Sequence, residues 1–404
     1  AITRDLTINS TIGIFLILAA HTIMNAGFIA RIVATRTVGS ELVDAAEIEG
    51  ASRLQIRTQI ELPQLLSAVA SGAVLVALYS ATSYGLILTL SDGQVRTLET
   101  QIALSALQRL DLETAGQLAL MQTLLSIAMF LSVRKFAAID SSLTEIQTSR
   151  LRAGWPSRFI GLGFLAAVLF TLGSVLNRSN WGDGLLTNLG NLASKGTRSM
   201  LNISILEAAG NSFRNALVVA IVVVPIALFM ARKKAPSLLA VMPAGISPVV
   251  LGLATLAIAG YLPRELTSSW LLLPLVQVLF ALPITYQILH PARNGFDSEQ
   301  REAASLDGAN WLKRFWWIEF PQIRKAVLLA TTFAMLTSLG EFGAASFLAF
   351  GSNETLPLVM FQLFGRPGGD NYGMLMVAAS SYILLTALIV YLVTLPERNR
   401  NPRH

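Results

Sequence analysis

Long runs of apolar residues without a charge recur along the chain, and they restrict its fold more than any other feature. Residues 159–177 and 215–231 contain no charged side chain, and a membrane-spanning helix needs about 20 mostly apolar residues. Only 13% of the 404 residues are charged, against roughly 25% in an average soluble protein. The sequence therefore excludes a soluble enzyme and a disordered chain, and it predicts an all-α membrane protein.

About nine transmembrane helices are predicted from the apolar runs. They cover approximately residues 8–33, 65–90, 116–133, 159–177, 213–231, 237–261, 271–290, 326–350 and 373–395. The span with the weakest boundary is 237–261, because it contains Pro243 and Pro248. Neighbouring helices can satisfy the backbone groups that such breaks leave free.

The positions of the basic residues predict the orientation of these spans. If the connections between spans are assigned alternately to the two sides of the membrane, one side receives 21 of the 30 Lys and Arg residues. The positive-inside rule places that side in the cytoplasm. We therefore expect a multi-pass protein of the cell membrane with a cytoplasmic C-terminus. The net charge of +6 belongs to these connections, so we predict no nucleic-acid partner.

An internal repeat relates two predicted cytoplasmic loops at a constant offset of 258 residues. We call residues 44–64 the first repeat segment and residues 302–322 the second repeat segment. Their identical pairs are Ala45/Ala303, Ala46/Ala304, Gly50/Gly308, Ala51/Ala309, Leu54/Leu312, Ile60/Ile318, Glu61/Glu319, Pro63/Pro321 and Gln64/Gln322. The same offset pairs Tyr84-Gly85 with Phe342-Gly343, and Thr97-Leu98 with Thr355-Leu356. The two stretches 44–98 and 302–356 thus align without a gap, which chance does not explain.

Each repeat segment is predicted to form a short exposed helix that leads into a spanning helix. An acid, Asp44 or Glu302, lies in the first turn, where the helix dipole favours negative charge. The glycines at 50 and 308 destabilise a helix by about 1 kcal/mol relative to alanine, so we expect a turn or a close approach there. Pro63 and Pro321 suit the first turn of the following helix.

The repeated pattern resembles the EAA loop of ABC importer permeases. That motif has Glu-Ala-Ala, then a glycine, then Ile-x-Leu-Pro. The second repeat segment matches it with Glu302-Ala303-Ala304, Gly308 and Ile318-Glu319-Phe320-Pro321, and the first with Ala45-Ala46, Gly50 and Ile60-Glu61-Leu62-Pro63. Phe320 and Asp44 depart from the motif. The resemblance implies that both segments are coupling helices that dock on a cytoplasmic ATPase.

The resemblance also implies an organisation in two homologous permease halves of the type I importer kind. We predict a first half at 1–133, a cytoplasmic linker at 134–158 and a second half at 159–404. The first half has one predicted span before its repeat segment and the second half has four, so we expect the first half to be N-terminally incomplete by about three spans. The fused arrangement resembles the two-in-one permeases of thiamine and iron(III) importers.

The resemblance further implies alternating access driven by a separate ATPase dimer, with substrate delivered by an extracytoplasmic binding protein. The chain contains no GxxxxGK[ST] phosphate-binding loop, which agrees with ATP and magnesium being bound by a partner. We expect no cofactor in this chain and no enzymatic activity of its own. Its partners are then the ATPase, the binding protein and the lipid bilayer.

Substrate contacts are predicted around Glu341, because an ionisable group within a span is costly and is by default a functional hypothesis. Glu341 and Phe342, with their matched residues Ser83 and Tyr84, form the candidate substrate path. The alternative is that Glu341 lies near the water interface or pairs with a backbone group. Two alternatives also stay open for the exposed aromatics of the second repeat segment, namely partner docking or a belt at the membrane interface. These aromatics are Trp311, Phe315, Trp316 and Trp317.

A secondary transporter is the main alternative function, since such carriers also contain repeats and broken helices. They typically hold several intramembrane acids, whereas this sequence has essentially one, Glu341. A membrane-bound enzyme is a third class, but the sequence contains no HExxH or GxSxG motif and no cysteine. A small cationic substrate, thiamine or iron(III), follows from the resemblance and not from the residues themselves.

Overall fold

A computed structural model describes residues 10–34, 40–91, 93–138, 155–196, 199–232, 238–267, 269–295, 306, 308, 310–366 and 368–398. All regular structure in these residues is helical, with no strand among them. The all-α fold predicted from the apolar runs is confirmed. Residues 139–154 of the predicted linker lie outside the described residues.

Two compact units divide the chain, one within residues 2–174 and one within 175–404. The first unit contains long helices and several short ones between them. They are α1 (Ser10–Ala34), α2 (Ser40–Ile48), α3 (Arg53–Gln55), a π-helical turn (Ile56–Glu61), α4 (Leu62–Ala81), α5 (Gly85–Leu90), α6 (Leu98–Ala103), a second π-helical turn (Leu104–Gln108), α7 (Leu112–Ala138) and most of α8 (Trp155–Arg178).

The second unit contains the end of α8 and the remaining helices. The α-helices are α9 (Leu185–Gly190), α10 (Ile205–Met230), α11 (Leu238–Val241), α12 (Pro248–Ile258), α13 (Arg264–Thr267), α14 (Leu272–Asn294), α15 (Trp311–Arg314), α16 (Phe320–Leu339), α17 (Ala345–Leu348), α18 (Leu356–Phe364) and α19 (Gly369–Arg398). A π-helical turn (Phe315–Glu319) joins α15 to α16, and 3₁₀ turns occur at Asn191–Ala193, Met242–Gly245, Ala259–Tyr261 and Gly351–Asn353.

Five of the nine predicted spans are confirmed as helices long and apolar enough to cross a membrane. These are Leu112–Ser132, Ser157–Arg178, Ile205–Met230, Leu272–Asn294 and Gly369–Tyr391. A sixth is possible, because Leu239–Gly245 and Pro248–Tyr261 pass together but are bent by 99°. In the described residues the apolar part of α1, Thr11–Gly27, is shorter than a full span. The predicted total of nine is therefore not confirmed.

The prediction of continuous spanning helices at 65–90 and 326–350 is wrong, since the helix is broken in both regions. The first region consists of α4, which ends at Ala81, and α5, which begins at Gly85. The second consists of α16, which ends at Leu339, and α17, which begins at Ala345. Hydropathy averaged over about 25 residues does not detect a helix break of a few residues. The break is compatible with an apolar run when the free backbone N–H and C=O groups find hydrogen-bond partners nearby.

The repeat seen in the sequence extends through the structure at the same offset of 258 residues. Helices α1, α4, α6 and α7 correspond in order to α14, α16, α18 and α19. In the second unit α10, α14 and α16 pack against one another. Their buried core includes Val219, Val223, Ala227, Ala281, Leu289, Ala330 and Ala334. This three-helix bundle supports the second repeat segment.

Candidate functional site

The first repeat segment consists of an exposed helix, a glycine turn and the start of the next helix. Helix α2 contains Asp44, Ala45 and Ala46, and Gly50 follows with φ of +83°. Glycine adopts this left-handed conformation readily because it has no Cβ. Ser52 then caps α3, because its side chain accepts from the Gln55 amide while the Gln55 side chain accepts from the Ser52 amide. Both halves of a capping box are therefore present.

The second repeat segment has the same turn and a different cap. Gly308 has φ of +76°, and the side-chain oxygen of Asn310 accepts from the backbone N–H of Lys313 at 2.9 Å. Asn310 occupies the position of Ser52 at the repeat offset. Glu302, Ala303 and Ala304 lie outside the described residues, so the predicted acid and alanines of this copy stay predictions.

A π-helical turn joins each short helix to the spanning region that follows. The turns are Ile56–Glu61 and Phe315–Glu319. Pro63 and Pro321 then stand in the first turn of α4 and α16, where a missing N–H is tolerated. Single π turns often mark functional positions in helices, and here the same irregularity occurs twice. Both copies of the repeat thus share the left-handed glycine, the π-helical turn and the proline in the first turn of the next helix.

Each segment exposes two large apolar side chains next to its glycine turn. In the first segment Ile48 is 87% exposed and Leu54 is 72% exposed; in the second, Leu306 is 89% exposed and Leu312 is 48% exposed. The two pairs correspond at the repeat offset. Neither glycine has an atom of another residue within 4 Å of the place where a Cβ would stand. The turn is therefore open, and an apolar partner surface can reach it.

The segments differ in the residues of the π-helical turn. The second segment has Phe315, Trp316 and Trp317 where the first has Arg57, Thr58 and Gln59. Trp316 stacks at a tilt on Phe320 with 5.0 Å between ring centroids, while the Trp317 side chain is largely exposed. This exposure fits both docking on a partner and a position at the membrane interface, so the two alternatives for these aromatics stay open.

A buried ion pair ties the second repeat segment to the bundle. The Arg293 guanidinium, on the last turn of α14, lies 2.7 Å from the carboxylate of Glu319, and their side chains are 9% and 10% exposed. The other terminal nitrogen of Arg293 donates to the carbonyl of Leu228 on α10. Sequence reasoning noted that Glu319 matches Glu61 but missed Arg293, because no local pattern links residues 26 positions apart on different helices.

Glu341 lies in the break between α16 and α17, and its carboxylate is engaged by the chain itself. One oxygen accepts from the Ala344 amide at 2.6 Å, and the other from the Ala345 amide at 3.1 Å and the Gln277 side-chain amide at 3.3 Å. Free N–H groups at a helix break need acceptors where water is absent. This is the backbone pairing that the sequence left open as an alternative. Contact with substrate stays a prediction.

The other predicted substrate-path residues surround the two helix breaks. Phe342 packs on Phe361 of α18 at 5.2 Å between ring centroids. In the first unit, Ser83 and Tyr84 form the break between α4 and α5 and are half-buried. Ser83 provides no carboxylate there, and Thr82 closes α4 by bonding to the carbonyl of Leu78 at 3.1 Å. The matched positions thus hold broken helices that are closed by different groups.

Arg214 is a further charged residue that sequence reasoning did not single out. It lies on the apolar helix α10, and its guanidinium stacks on the Trp270 ring at 4.1 Å. Two of its nitrogens, Nε and Nη2, are buried and make no hydrogen bond. An isolated cation inside an otherwise uncharged run was the signal that could have drawn attention to it.

Relatives of the chain include transport permeases with several named substrates. The thiamine transport system permease protein ThiP of Brucella abortus is 28% identical over 349 residues, which cover 80% of this chain and 60% of the relative. The sulfate permease CysW of Synechococcus elongatus is 31% identical over 34% of this chain and 54% of its own length. The molybdenum permease ModB of Escherichia coli is 26% identical over 37% of this chain and 71% of its own length. The chain thus spans about 60% of the length of the thiamine relative.

A family model described as binding-protein-dependent transport system inner membrane component matches residues 4–145 and again residues 160–401. Two matches in succession agree with the repeat that relates the two units. The matched segments include both glycine turns and both proline starts. The chain is therefore a fused member of the binding-protein-dependent transport system inner membrane component family, a multi-pass protein of the inner membrane.

Proposed function

We propose that this chain is the membrane-spanning permease subunit of an ATP-driven importer. A separate cytoplasmic ATPase dimer docks on the two repeat segments, and a binding protein delivers the substrate from outside. The observation that carries the proposal is the geometry that occurs twice. In both segments a left-handed glycine, a capped helix start and a π-helical turn present an exposed apolar pair. A partner with two equivalent sites, such as an ATPase dimer, would use the same docking geometry twice.

The chemistry of docking follows from these exposed groups. Burial of exposed leucine and isoleucine side chains by a partner gains about 25 cal/mol for each Å² of apolar surface covered. The exposed cations Arg53 and Lys313 are next in sequence to Leu54 and Leu312, and they favour an acidic group on the partner beside these leucines. Each segment leads through a proline into a long apolar helix, so movement of the docked partner would reach the membrane part directly.

Thiamine is the substrate that we propose. The thiamine permease match covers 80% of this chain, whereas the sulfate and molybdenum matches each cover little more than a third. The relatives described above give no support to iron(III). Membership of a binding-protein-dependent family favours this importer over the secondary transporter that the repeats alone left as an alternative.

The test is uptake of radiolabelled thiamine into proteoliposomes that contain the chain, its ATPase and its binding protein. We expect uptake to require ATP and to resist a large excess of sulfate or molybdate. Uptake driven by an ion gradient without ATP would contradict the proposal, and inhibition by sulfate or molybdate would show that the substrate is an oxyanion.

The docking segments are tested by replacing both glycines. Gly50→Val with Gly308→Val forces two branched residues into left-handed backbone, at about 1–2 kcal/mol for each residue, so we expect uptake to fall about a hundredfold. The matched control is Gly50→Asn with Gly308→Asn, because asparagine tolerates this conformation. Full uptake by the valine variant would show that the repeat segments do not couple the ATPase.

A further inference from the structure

The ion pair between Arg293 and Glu319 joins the second repeat segment to two long helices at once. Glu319 is the last residue of the π-helical turn, and Arg293 lies one turn after Leu289, which belongs to the core of the three-helix bundle. The charged nitrogen and oxygen are 2.7 Å apart, and both side chains are about nine-tenths buried. A charge-assisted bond at this depth is strong and specific in its geometry.

The end of α10 is held in the same place. Arg293 donates to the Leu228 carbonyl, and the neighbouring Asn294 donates to the Ala231 carbonyl at 3.1 Å. These carbonyls are in the last turn of α10 and just beyond it, where backbone acceptors have no partner within the helix. The last turn of α14 therefore caps the C-terminal end of α10 through Arg293 and Asn294. Arg293 also binds Glu319 of the second repeat segment.

Among the residues of the second repeat segment that the structure describes, Leu306, Lys313 and Trp317 are exposed. A force applied to this exposed part reaches the bundle through the π-helical turn, whose backbone is irregular. Separating Arg293 from Glu319 would leave two charges with poor solvation, which is strongly unfavourable. The pair therefore makes the segment and the ends of α14 and α10 move as one body.

We propose that Arg293 is a positioning residue that transmits displacement of the second repeat segment to α10 and α14 through Glu319. The inference rests on the proposed function, since it describes how energy from the ATPase enters the membrane part. It assigns no contact with substrate or ATP to Arg293.

We call the ion pair between Arg293 and Glu319 the joint between α14 and the second repeat segment. The distance between two spin labels tests this joint without any partner protein. The chain has no cysteine, so Gln287→Cys on α14 and Lys313→Cys on α15 place labels on both sides of the joint without further changes. We expect a narrow distance distribution in the native background, which broadens to about twice its width with Glu319→Gln. Arg324→Met, which removes an exposed cation just after the joint, is the matched control and leaves the width unchanged. An unchanged width with Glu319→Gln would overturn the proposal.

The second measurement is the number of thiamine molecules taken up for each ATP hydrolysed. Coupling between sites is typically worth a factor of 5–150, so we expect this ratio to fall about tenfold with Arg293→Met while binding of the ATPase is retained. The charge-swapped variant R293E/E319R should recover part of the ratio. If Arg293→Met does not fold, Arg293→Lys takes its place, with an intermediate ratio expected.

The two proposals fail in different ways. If the unmodified chain shows no ATP-dependent thiamine uptake, the proposed function is wrong, while the label distances still test the joint. If the unmodified chain is active and the ratio for Arg293→Met equals that of Arg324→Met, the positioning role is wrong and the proposed function stands. If Arg293→Met loses both ATPase binding and thiamine uptake, Arg293 is needed for docking, and a role in transmission alone is contradicted.

Discussion

The two repeat segments share the part that faces outward and differ in the part that faces their own helices. Outside, the left-handed glycine, the exposed apolar pair and the proline occur in both copies. Inside, Glu319 is buried in an ion pair, whereas the matched Glu61 is half-buried. The second π-helical turn also has Phe315, Trp316 and Trp317 at the sequence positions where the first has Arg57, Thr58 and Gln59. Two segments with the same exposed geometry are therefore attached to the helices of their own halves by different side-chain contacts.

The supporting helices show the same contrast. In the second unit α14 and α16 pack on each other and on α10, so Ala330 and Ala334 are fully buried. In the first unit the corresponding α1 and α4 pack on each other, and Phe15, Leu18 and Leu66 are exposed. The repeated helix pair is thus packed against α10 in the second unit, whereas Phe15, Leu18 and Leu66 stay exposed on it in the first.

The largest effect is expected when the matched glutamates are neutralised one at a time. Glu319→Gln leaves Arg293 buried with an uncharged partner, so we expect a loss of about 3 kcal/mol in unfolding free energy. Glu61→Gln should cost no more than about 1 kcal/mol, because a half-exposed carboxylate is well solvated. Unfolding of both variants in detergent, followed by circular dichroism, measures the difference. Equal losses would show that the two segments are held in the same way.

An intermediate effect is expected at Gly373 on α19. A Cβ at this residue would collide with the Asn188 side chain and the Trp181 carbonyl, two groups that are hydrogen-bonded to each other at 2.7 Å. Gly373→Ala should therefore destabilise the second unit by about 1–3 kcal/mol.

The matching position in α7 of the first unit already holds an alanine, Ala115, which is fully buried. Its neighbour Gly116 has open space where a Cβ would stand, so Gly116→Ala is the control and should stabilise α7 by up to about 1 kcal/mol. The same detergent unfolding experiment compares both variants. A neutral result for Gly373→Ala would mean that the Asn188 contact adjusts without cost.

The smallest effect is expected at the two helix caps. Ser52→Ala removes the acceptor of the Gln55 amide, and Asn310→Ala removes the acceptor of the Lys313 amide. Loss of such a cap costs typically about 1 kcal/mol, so exchange of each amide with deuterium should become about fivefold faster. Hydrogen exchange followed by mass spectrometry reads both segments in one sample. A change confined to one segment would show that the two caps are not equivalent.

The sequence predicted the features that depend on neighbouring residues. Uncharged runs such as 159–177 predict a spanning helix because apolar character adds up along a contiguous stretch, and the structure confirms it as Ser157–Arg178. The repeat at an offset of 258 was equally visible. It gave the family resemblance, which the family match then confirmed. The predicted glycine turns at 50 and 308 have the positive φ that explains why a costly residue stands there.

What the sequence could not predict depends on partners distant along the chain. The span 326–350 is broken at Glu341, whose carboxylate accepts from the nearby Ala344 and Ala345 amides and also from the side chain of Gln277 on α14. The apolar average of the span does not indicate this pairing with α14. The bend of 99° between Leu239–Gly245 and Pro248–Tyr261 was not predicted either. Pro243 and Pro248 made the boundary of that span uncertain, and the structure shows a new helix beginning there, because the Ser247 hydroxyl accepts from the amides of Val249 and Val250.

A helical membrane protein, its duplicated segments and its family are all predictable from the amino-acid sequence, because they follow from composition and from the spacing of neighbouring residues. The interruptions in the apolar runs, and the pairing of Glu319 with Arg293 rather than with a nearby residue, are visible in the folded structure alone. The physical reason is that a buried polar or charged group takes whichever partner the fold brings within hydrogen-bond distance. That distance is fixed by helix packing and not by position along the chain.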